Sequence, residues 1–230
     1  MKKILLTILI AGSITCMAQS YREDFKKMLN YYTDSTNVLD YKIQVKLFDR
    51  DNVKNELQSM DGSFTIYKDL LRLRIGPELR ITDSNYSLIV NDEENVLAIS
   101  KRNASGIGYE KILPAADSIF AFLNPEVKAI DAPSGQKGYR LIFNKNVVDS
   151  VEYYFDVNSY KLSKVIYYYV SSSYLDADEE YKPVIQILLS DYVKRSVKQG
   201  DFSLSPFVRI ENNKVIPLGK YSAYRLINNL

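Results

Sequence analysis

The chain has 230 residues, 46% of them hydrophobic, which is enough to bury one hydrophobic core. It has no histidine and only one cysteine, so it lacks the residue types most used for metal ligation and nucleophilic catalysis. Basic and acidic residues are almost balanced, at 30 and 28, and no long basic run occurs, so nucleic acid is not an expected partner. We therefore expect no enzyme activity, no metal and no cofactor.

The first 18 residues have the pattern of a secretory signal peptide. Lys2 and Lys3 form a positive start, and residues 4–14 form an apolar stretch that is too short to span a bilayer. Cys16–Ala18 begins and ends with a small residue, as a cleavage site before Gln19 requires. This cut leaves a mature chain with no cysteine and no net charge.

A lipoprotein cut that makes Cys16 the lipidated N-terminus is the alternative. That cut favours a branched aliphatic residue three positions before the cysteine and a very small one just before it, and Ser13 and Thr15 fit neither preference well. We therefore expect a periplasmic protein whose mature part, residues 19–230, is one domain.

An amphipathic helix is predicted at the start of the mature chain. Ser20 and Glu23 form a capping box, with the hydroxyl at the N-cap and the carboxylate three residues on. The apolar residues that follow have helical spacing: Phe25, Met28, Leu29 and Tyr32. The helix is expected to end near residues 33–35, and the alternation from Leu39 to Leu47 predicts a long strand. A weaker strand is predicted near residues 57–60.

Residues 62–101 predict a run of consecutive antiparallel strands, because apolar and polar residues alternate with a period of two. Turn-forming residues at 76–77, 83–85 and 91–95 separate the runs. The apolar positions are Phe64, Ile66, Leu71, Leu73, Ile75, Leu79, Ile81, Tyr86, Leu88 and Val90. We expect a meander with one apolar face.

A second helix, short and very apolar, is predicted over residues 112–123, where the strand pattern breaks. Pro125 follows its end, and the two glycines of residues 103–108 make that loop the expected hinge. An ordinary core helix and a lid over the sheet both fit this pattern.

Further strands are predicted in the second half of the chain. Their ranges are 127–130, 139–143, 151–157, 162–170, 184–192, 207–210, 215–218 and 221–227. Residues 174–182 are acidic and polar, and we expect an exposed loop there. Alternation sends Tyr153 and Phe155 to one face of their strand and Tyr154 to the other, so outward rings are candidates for a partner surface.

Three stretches carry a resemblance to a known family. They are Gly62–Ile66 with Leu71–Leu73, then Asn85–Val90, then a hairpin of Tyr154–Val157 with Leu162–Val165. With the order helix, long strand, meander, apolar helix and further strands, this chain resembles the periplasmic lipoprotein-carrier (LolA-like) family. The resemblance implies an α+β fold with an antiparallel, unclosed β-barrel, or half-barrel, whose concave face is covered by helices.

The resemblance also implies a non-enzymatic periplasmic carrier or chaperone that binds lipid or the acyl chains of a lipoprotein in a concave cavity. The two helices and the meander supply the expected wall: Phe25, Met28, Leu73, Leu88, Ile119 and Phe120. Where the family has an Arg-Pro pair after the first meander strand, this chain has Lys68 and Asp69. Lys68 is therefore the candidate cargo-release position, although its ammonium lacks the planar fork of arginine.

A second hypothesis is a cell-envelope interaction module that uses the same fold as a scaffold and binds envelope proteins through the Tyr-rich strands or the tail. Either protein is expected to be a monomer with peripheral or transient membrane contact. Co-purifying lipid would favour the carrier, whereas a stable protein partner without lipid would favour the module.

Overall fold

The structure is a computed structural model that describes residues 21–33, 36–102, 125–143, 147–174 and 180–230. The chain falls into two compact units. Unit 1 takes its described residues from 1–33, 46–58 and 117–188, and unit 2 takes them from 34–45, 59–116 and 189–230. The predicted helix at 112–123, its hinge loop at 103–108 and the capping residue Ser20 lie outside the described residues.

One α-helix, one 3-10 helix and sixteen strands are described. The described part of helix α1 covers residues 21–32. The strands are β1 Val38–Asp49, β2 Asn52–Tyr67, β3 Leu70–Ile75, β4 Glu78–Thr82, β5 Tyr86–Asn91, β6 Val96–Lys101, β7 Glu126–Ile130, β8 Gln136–Ile142, β9 Val148–Asp156, β10 Leu162–Tyr169, β11 Ser173–Tyr174, β12 Glu180–Tyr181, β13 Pro183–Arg195, β14 Val208–Glu211, β15 Lys214–Pro217 and β16 Arg225–Asn229. A 3-10 helix covers Gly219–Ala223.

Twelve of the described strands form one open sheet in the order β16-β6-β5-β4-β3-β2-β1-β13-β10-β9-β8-β7. The pairs from β2 to β6, from β7 to β10 and between β10 and β13 are antiparallel, whereas β16 runs parallel to β6. Hairpins β11–β12 and β14–β15 stand apart from this sheet. The prediction of an α+β protein with a largely antiparallel, unclosed sheet is confirmed for the described part of the chain.

Local predictions from alternation and turn residues agree with most of these elements, with two corrections. The weak strand expected near residues 57–60 is continuous with the next one, since β2 is a single strand of 16 residues. The strand expected at 221–227 is wrong in its first half, where amides at Tyr221 and Tyr224 donate to carbonyls three residues earlier and form the 3-10 helix. The expected loop at 174–182 begins and ends in the paired strands β11 and β12.

The core of unit 2 lies on one face of β4, β5 and β6. Six aliphatic side chains from these strands are at most 1% exposed: Leu79, Ile81, Leu88, Val90, Leu97 and Ile99. The C-terminal segment 196–230, which we call the tail, covers them with Leu204, Phe207, Val208 and Val215. Hydrophobic burial of this layer is therefore shared between the meander and a segment far along the chain.

The register corrects the prediction that the meander has one apolar face. Residues directly opposite each other in an antiparallel pair share a face. Leu73 lies opposite Arg80, whereas Leu79 lies opposite Arg74. Leu73 is also opposite Phe64, which is 5% exposed. The apolar residues of β2 and β3 thus point to one face of the sheet, and those of β4, β5 and β6 point to the other.

The turn between β3 and β4 explains this reversal. It has two residues, Gly76 and Pro77, and Gly76 has a φ of 51°, which glycine adopts without strain. A two-residue turn pairs Ile75 with Glu78, so every odd-numbered residue of β3 faces an even-numbered residue of β4. Apart from Leu70 at the start of β3, the apolar residues of both strands are odd-numbered, and they must therefore face opposite sides.

Arg195 fixes the start of the tail to the sheet of unit 2. Its guanidinium donates to Asp40 at 2.5 and 3.4 Å and to Asp201 at 2.8 and 3.1 Å. Thr65 donates to the same carboxylate of Asp40 at 2.8 Å. The hydrogen bonds to Asp201 and then Asp40 raise the pKa of Arg195, and the bond from Arg195 lowers the pKa of Asp201.

Replacing Arg195 with Met should lower the free energy of unfolding by about 2 kcal/mol, because two partly buried carboxylates lose their charged partner. The measurement is the urea midpoint followed by far-UV circular dichroism. Arg209→Met is the control: it removes a pair with Glu211 in which both side chains are more than half exposed, and it should cost less than about 0.5 kcal/mol. Equal losses from both variants would show that Arg195 does not hold the tail.

Asp92 fixes the other end of the tail. Its carboxylate accepts from Lys220 Nζ at 2.9 Å and from the Tyr224 hydroxyl at 2.8 Å, and Arg74 lies 3.6 Å away. The hydrogen bond from Lys220 and then that from Tyr224 lower the pKa of Asp92 below its ordinary value of 3.8. The turn between β5 and β6 thereby holds the 3-10 helix against the core.

Because the folded pKa of Asp92 is lowered, its contribution to stability is present above the ordinary value of 3.8 and is lost as the pH falls through the folded pKa. The difference in unfolding free energy between the wild type and Asp92→Asn should therefore be largest at neutral pH and shrink in acid. Tyr224→Phe removes one hydrogen bond to the carboxylate, and its unfolding free energy should lie between those of the wild type and Asp92→Asn. Urea titrations across this pH range give the three curves, and a difference that stays constant with pH would contradict the expectation.

Candidate functional site

Unit 1 carries a broad apolar face on strands β7, β8, β9, β10 and β13. The register aligns two rows of side chains across these strands: Ala129, Tyr139, Tyr153, Val165 and Ile187, and next to them Val127, Leu141, Val151, Tyr167 and Ile185. We call these ten residues the apolar face of unit 1. Neither row contains a charged residue, so the face is suited to an apolar partner.

The opposite face of the same strands carries charges that are paired with one another, beside a small buried apolar cluster. Glu152 is 3% exposed, and its carboxylate accepts from Arg140 Nε at 2.8 Å and from the Tyr154 hydroxyl at 2.7 Å. The ring of Tyr168 lies beneath two guanidiniums, those of Arg50 at 5.5 Å and Arg140 at 5.7 Å. A pocket of about 300 Å³ opens beside these groups. Because its charges are paired with one another, this network is suited to holding strands together.

Helix α1 packs on part of the apolar face through aromatic rings. Tyr21 meets the edge of Tyr139 with ring centroids 4.8 Å apart, and Phe25 meets the edge of Tyr153 at 6.0 Å. Met28, one turn further along, is 2% exposed. The apolar stripe predicted for this helix is thus the surface that covers the β8 and β9 side of the face.

Asp24 provides a buried polar attachment for the same helix. The carboxylate is on a residue that is only 4% exposed, and it accepts from Lys137 Nζ and from the Tyr139 hydroxyl, both at 2.8 Å. The hydrogen bond that Lys137 donates to Asp24 raises the pKa of Lys137. At the other end of α1, the Tyr32 hydroxyl accepts from the amide of Leu162 at 3.0 Å. The helix is therefore tied to the sheet at both ends.

The β10 and β13 side of the apolar face is less deeply covered. Tyr167, Ile185 and Ile187 are half-buried, in contrast to Tyr139 and Leu141 under the helix. Burial raises the pKa of the Tyr167 phenol, and that of the Tyr153 phenol beside the helix. This side of the face is the candidate site for an apolar ligand.

The structure places the predicted wall residues on three different surfaces. Phe25 and Met28 lie together on the apolar face of unit 1. In unit 2, Leu88 is in the core that the tail covers, and Leu73 points to the opposite side of that sheet. A cavity lined by both Leu73 and Leu88 is therefore not formed. Ile119 and Phe120 lie outside the described residues, and their role stays a prediction.

Lys68, the predicted cargo-release position, occupies the turn between β2 and β3. It is exposed, has a φ of 55°, and its ammonium lies 5.1 Å from the ring centre of Tyr67. With Asp69 it forms a two-residue turn, because Tyr67 pairs with Leu70. Its position in the sheet is thus explained by turn geometry, and its role in cargo release stays a prediction.

Most residues of the apolar face were not predicted as site residues. Tyr153 and Phe155 were assigned to one side of their strand and Tyr154 to the other, and this assignment is confirmed, because Phe155 and Tyr153 pack with α1 whereas Tyr154 packs with Ile166 and Val184. The Tyr154 ring is nonetheless 9% exposed, so it does not form the outward partner surface that alternation suggested. The uncharged alternation within β9, β10 and β13 was the available signal for the site.

Among the residues that the structure describes, no group of three or more histidine, cysteine, aspartate or glutamate side chains could hold a metal ion. No helix within the described ranges is long and apolar enough to cross a bilayer.

No family model matches this sequence, and no curated protein matches it. Solved structures with a similar chain path include a conserved protein from Thermus thermophilus, with a TM-score of 0.49, 9% identity, and coverage of 80% of this chain and 92% of that one. A domain named for outer membrane lipoprotein sorting, from Vibrio parahaemolyticus, has a TM-score of 0.37, 8% identity, and coverage of 79% of this chain and 96% of that one.

A LolA superfamily protein from Nitrosomonas europaea is also similar, with a TM-score of 0.29, 12% identity, and coverage of 81% of this chain and 98% of that one. The names of the Vibrio parahaemolyticus and Nitrosomonas europaea proteins coincide with the family that the sequence resembles. At such identities and TM-scores the likeness assigns no ligand and no site residue, so the function has to be argued from the side chains.

Replacing Asp24 with Asn should lower the unfolding free energy by about 1–2 kcal/mol, because the uncharged amide oxygen is a weaker acceptor for Lys137 and the Tyr139 hydroxyl than the carboxylate is. Glu23→Gln is the matched control, since it removes the neighbouring carboxylate on the exposed side of α1. Urea unfolding of both variants measures the effect. If Asp24→Asn is as stable as Glu23→Gln, the attachment of α1 does not depend on this carboxylate.

Proposed function

We propose that this protein is a non-enzymatic carrier or chaperone that binds a hydrophobic ligand, such as lipid or the acyl chains of a lipoprotein, against the apolar face of unit 1. The observation that carries the proposal is the pair of uncharged rows across five strands, together with their half-buried β10 and β13 side. Removing the apolar side chains of this face from water is favourable, and a bound hydrophobic ligand would remove them from water.

An acyl chain fits this surface better than a polar ligand does. Each buried methylene contributes about 0.8 kcal/mol, so a chain lying along Tyr167, Ile185 and Ile187 would bind without specific polar contacts. The phenols of Tyr153 and Tyr167 offer hydroxyls for the polar end of such a ligand. Helix α1 then forms one border of the site, with Phe25 and Met28 as its apolar contacts.

The finer features of the resemblance belong to the same proposal. We place the site on the concave side of a half-barrel whose helices cover that side, in one domain over residues 19–230 that acts as a monomer in the periplasm. An envelope scaffold that binds protein instead of lipid is the competing function. A lipid-binding assay on two variants of strand β13 separates the two functions.

The test uses two adjacent residues of β13 that lie on opposite faces of the sheet. Ile187→Glu places a carboxylate in the apolar face, whereas Gln186→Glu places it on the opposite face, in the row that contains Arg140 and Glu152. Binding of a fluorescent fatty acid should weaken more than about tenfold in Ile187→Glu, because a carboxylate is costly to dehydrate. Gln186→Glu should bind as the wild type does.

Fluorescence titration measures binding, and far-UV circular dichroism checks that both variants fold. If Ile187→Glu does not fold, Ile187→Thr keeps the branch at Cβ, shortens the side chain and introduces a hydroxyl, and it should weaken binding in the same direction. Wild-type protein that binds no fatty acid, or an Ile187→Glu protein that folds and binds normally, would reject the carrier in favour of the scaffold.

A further inference from the structure

The exposed side of α1 carries a concentration of positive charge. Arg22, Lys26 and Lys27 are exposed on the helix, and the turn between β9 and β10 adds the half-buried Lys161. Within residues 21–32 and 157–161, Glu23 is the one exposed acidic residue, since Asp24 is buried against Lys137. The mature chain predicted above has no net charge, so this local excess is not a reflection of overall composition.

Tyrosine rings lie among these charges and join the helix to the turn. Lys27 Nζ lies 5.3 Å from the ring centre of Tyr160 and donates to its hydroxyl at 3.2 Å. A second contact joins a lysine of the turn to a tyrosine of the helix, since Lys161 Nζ lies 5.7 Å from the ring centre of Tyr31. These two crossed contacts make one continuous surface, which we call the basic patch: Arg22, Lys26, Lys27, Tyr31, Tyr160 and Lys161.

The acidic side chain at the start of the turn is directed into the turn itself. Asp156 accepts from the amides of Ser159 and Asn158 and from the Ser159 hydroxyl, at 2.7, 3.1 and 2.8 Å. These bonds, with that from the Ser159 amide first, lower the pKa of Asp156. The carboxylate is therefore held in the turn, where the charge of Lys161 also contributes to its lowered pKa. With Asp156 and Glu23 both counted, the four basic residues of the patch still leave it a net positive charge.

We infer that the basic patch docks unit 1 on an anionic lipid surface. Lysine and arginine near such a surface are attracted to it, and their aliphatic stems can lie along apolar groups while the charges stay hydrated. Tyrosine suits the boundary between lipid and water, since its ring is apolar and its hydroxyl stays hydrated. The patch lies on the outer side of the helix whose inner side covers the apolar face.

An acidic protein surface would also attract the charges, but the tyrosines and the neighbouring site favour lipid. A carrier has to take its ligand from a bilayer or deliver it there, and docking beside the apolar face shortens that transfer. In this respect the inference rests on the proposed function, although docking and ligand binding can be measured separately.

The experiment is flotation of the full mature chain with vesicles of phosphatidylglycerol and phosphatidylcholine in equal parts, compared with vesicles of phosphatidylcholine alone. The wild type should bind only the anionic vesicles, and binding should fall as salt is added. The double variant Lys27→Glu/Lys161→Glu should bind them more than about tenfold more weakly, since each basic residue near the surface contributes to binding. The matched control, Lys54→Glu/Lys214→Glu, makes the same change in net charge at two exposed positions outside the patch, and it should bind as the wild type does.

A soluble fluorescent fatty acid, titrated into each protein without vesicles, separates the two proposals. Unchanged fatty-acid binding by the patch variant, with lost flotation, would support docking as a property of the patch. Three results would overturn the inference: no flotation of the wild type, which would leave an acidic protein as the partner, equal flotation with both vesicle types, or equal losses in the patch variant and its control. Failure of the fatty acid to bind any of the proteins would reject the proposed function and leave the flotation result to stand alone.

Discussion

The two-residue turn at Gly76 and Pro77 is the constraint on which the arrangement of unit 2 depends. It forces the apolar residues of β3 and β4 to opposite faces, so the sheet of unit 2 has apolar side chains on both. Neither face can be left to water without losing the free energy that burial supplies. On the face of β4, β5 and β6, the tail covers the apolar side chains. The ion pairs Arg195–Asp201 and Lys220–Asp92 hold the tail there.

Unit 1 distributes its charges differently. One face of its strands is uncharged, whereas the other carries the Arg140 and Glu152 pair beside the buried side chains of Ile166 and Val184. Helix α1 covers part of the uncharged face, and the remainder, around Tyr167 and Ile185, stays half-buried. A surface of this kind can exchange one apolar partner for another, whereas the tightly packed face under the tail of unit 2 cannot do so without unfolding.

Sequence alternation located most strands because it depends on neighbouring residues alone. The reversal at Gly76 could also have been predicted, since a two-residue turn sets the register of the strands that it joins. The alignment of Tyr167 with Ile185 could not, because residues 170–182 separate their strands and no short turn fixes the pairing. Sites assembled from such pairs, as the apolar face of unit 1 is, remain hidden in a single sequence even when each strand is recognised.

The distance along the chain between β4–β6 and the tail has a consequence for biosynthesis. A ribosome releases residues 78–101 well before residues 204–215, the segment that shields them. In the interval the six aliphatic side chains of that face have no cover, and the edge of β6 lacks the strand β16 that pairs with it. The nascent chain thus exposes an incomplete apolar sheet, which favours binding by a chaperone until residues 204–215 have been synthesised.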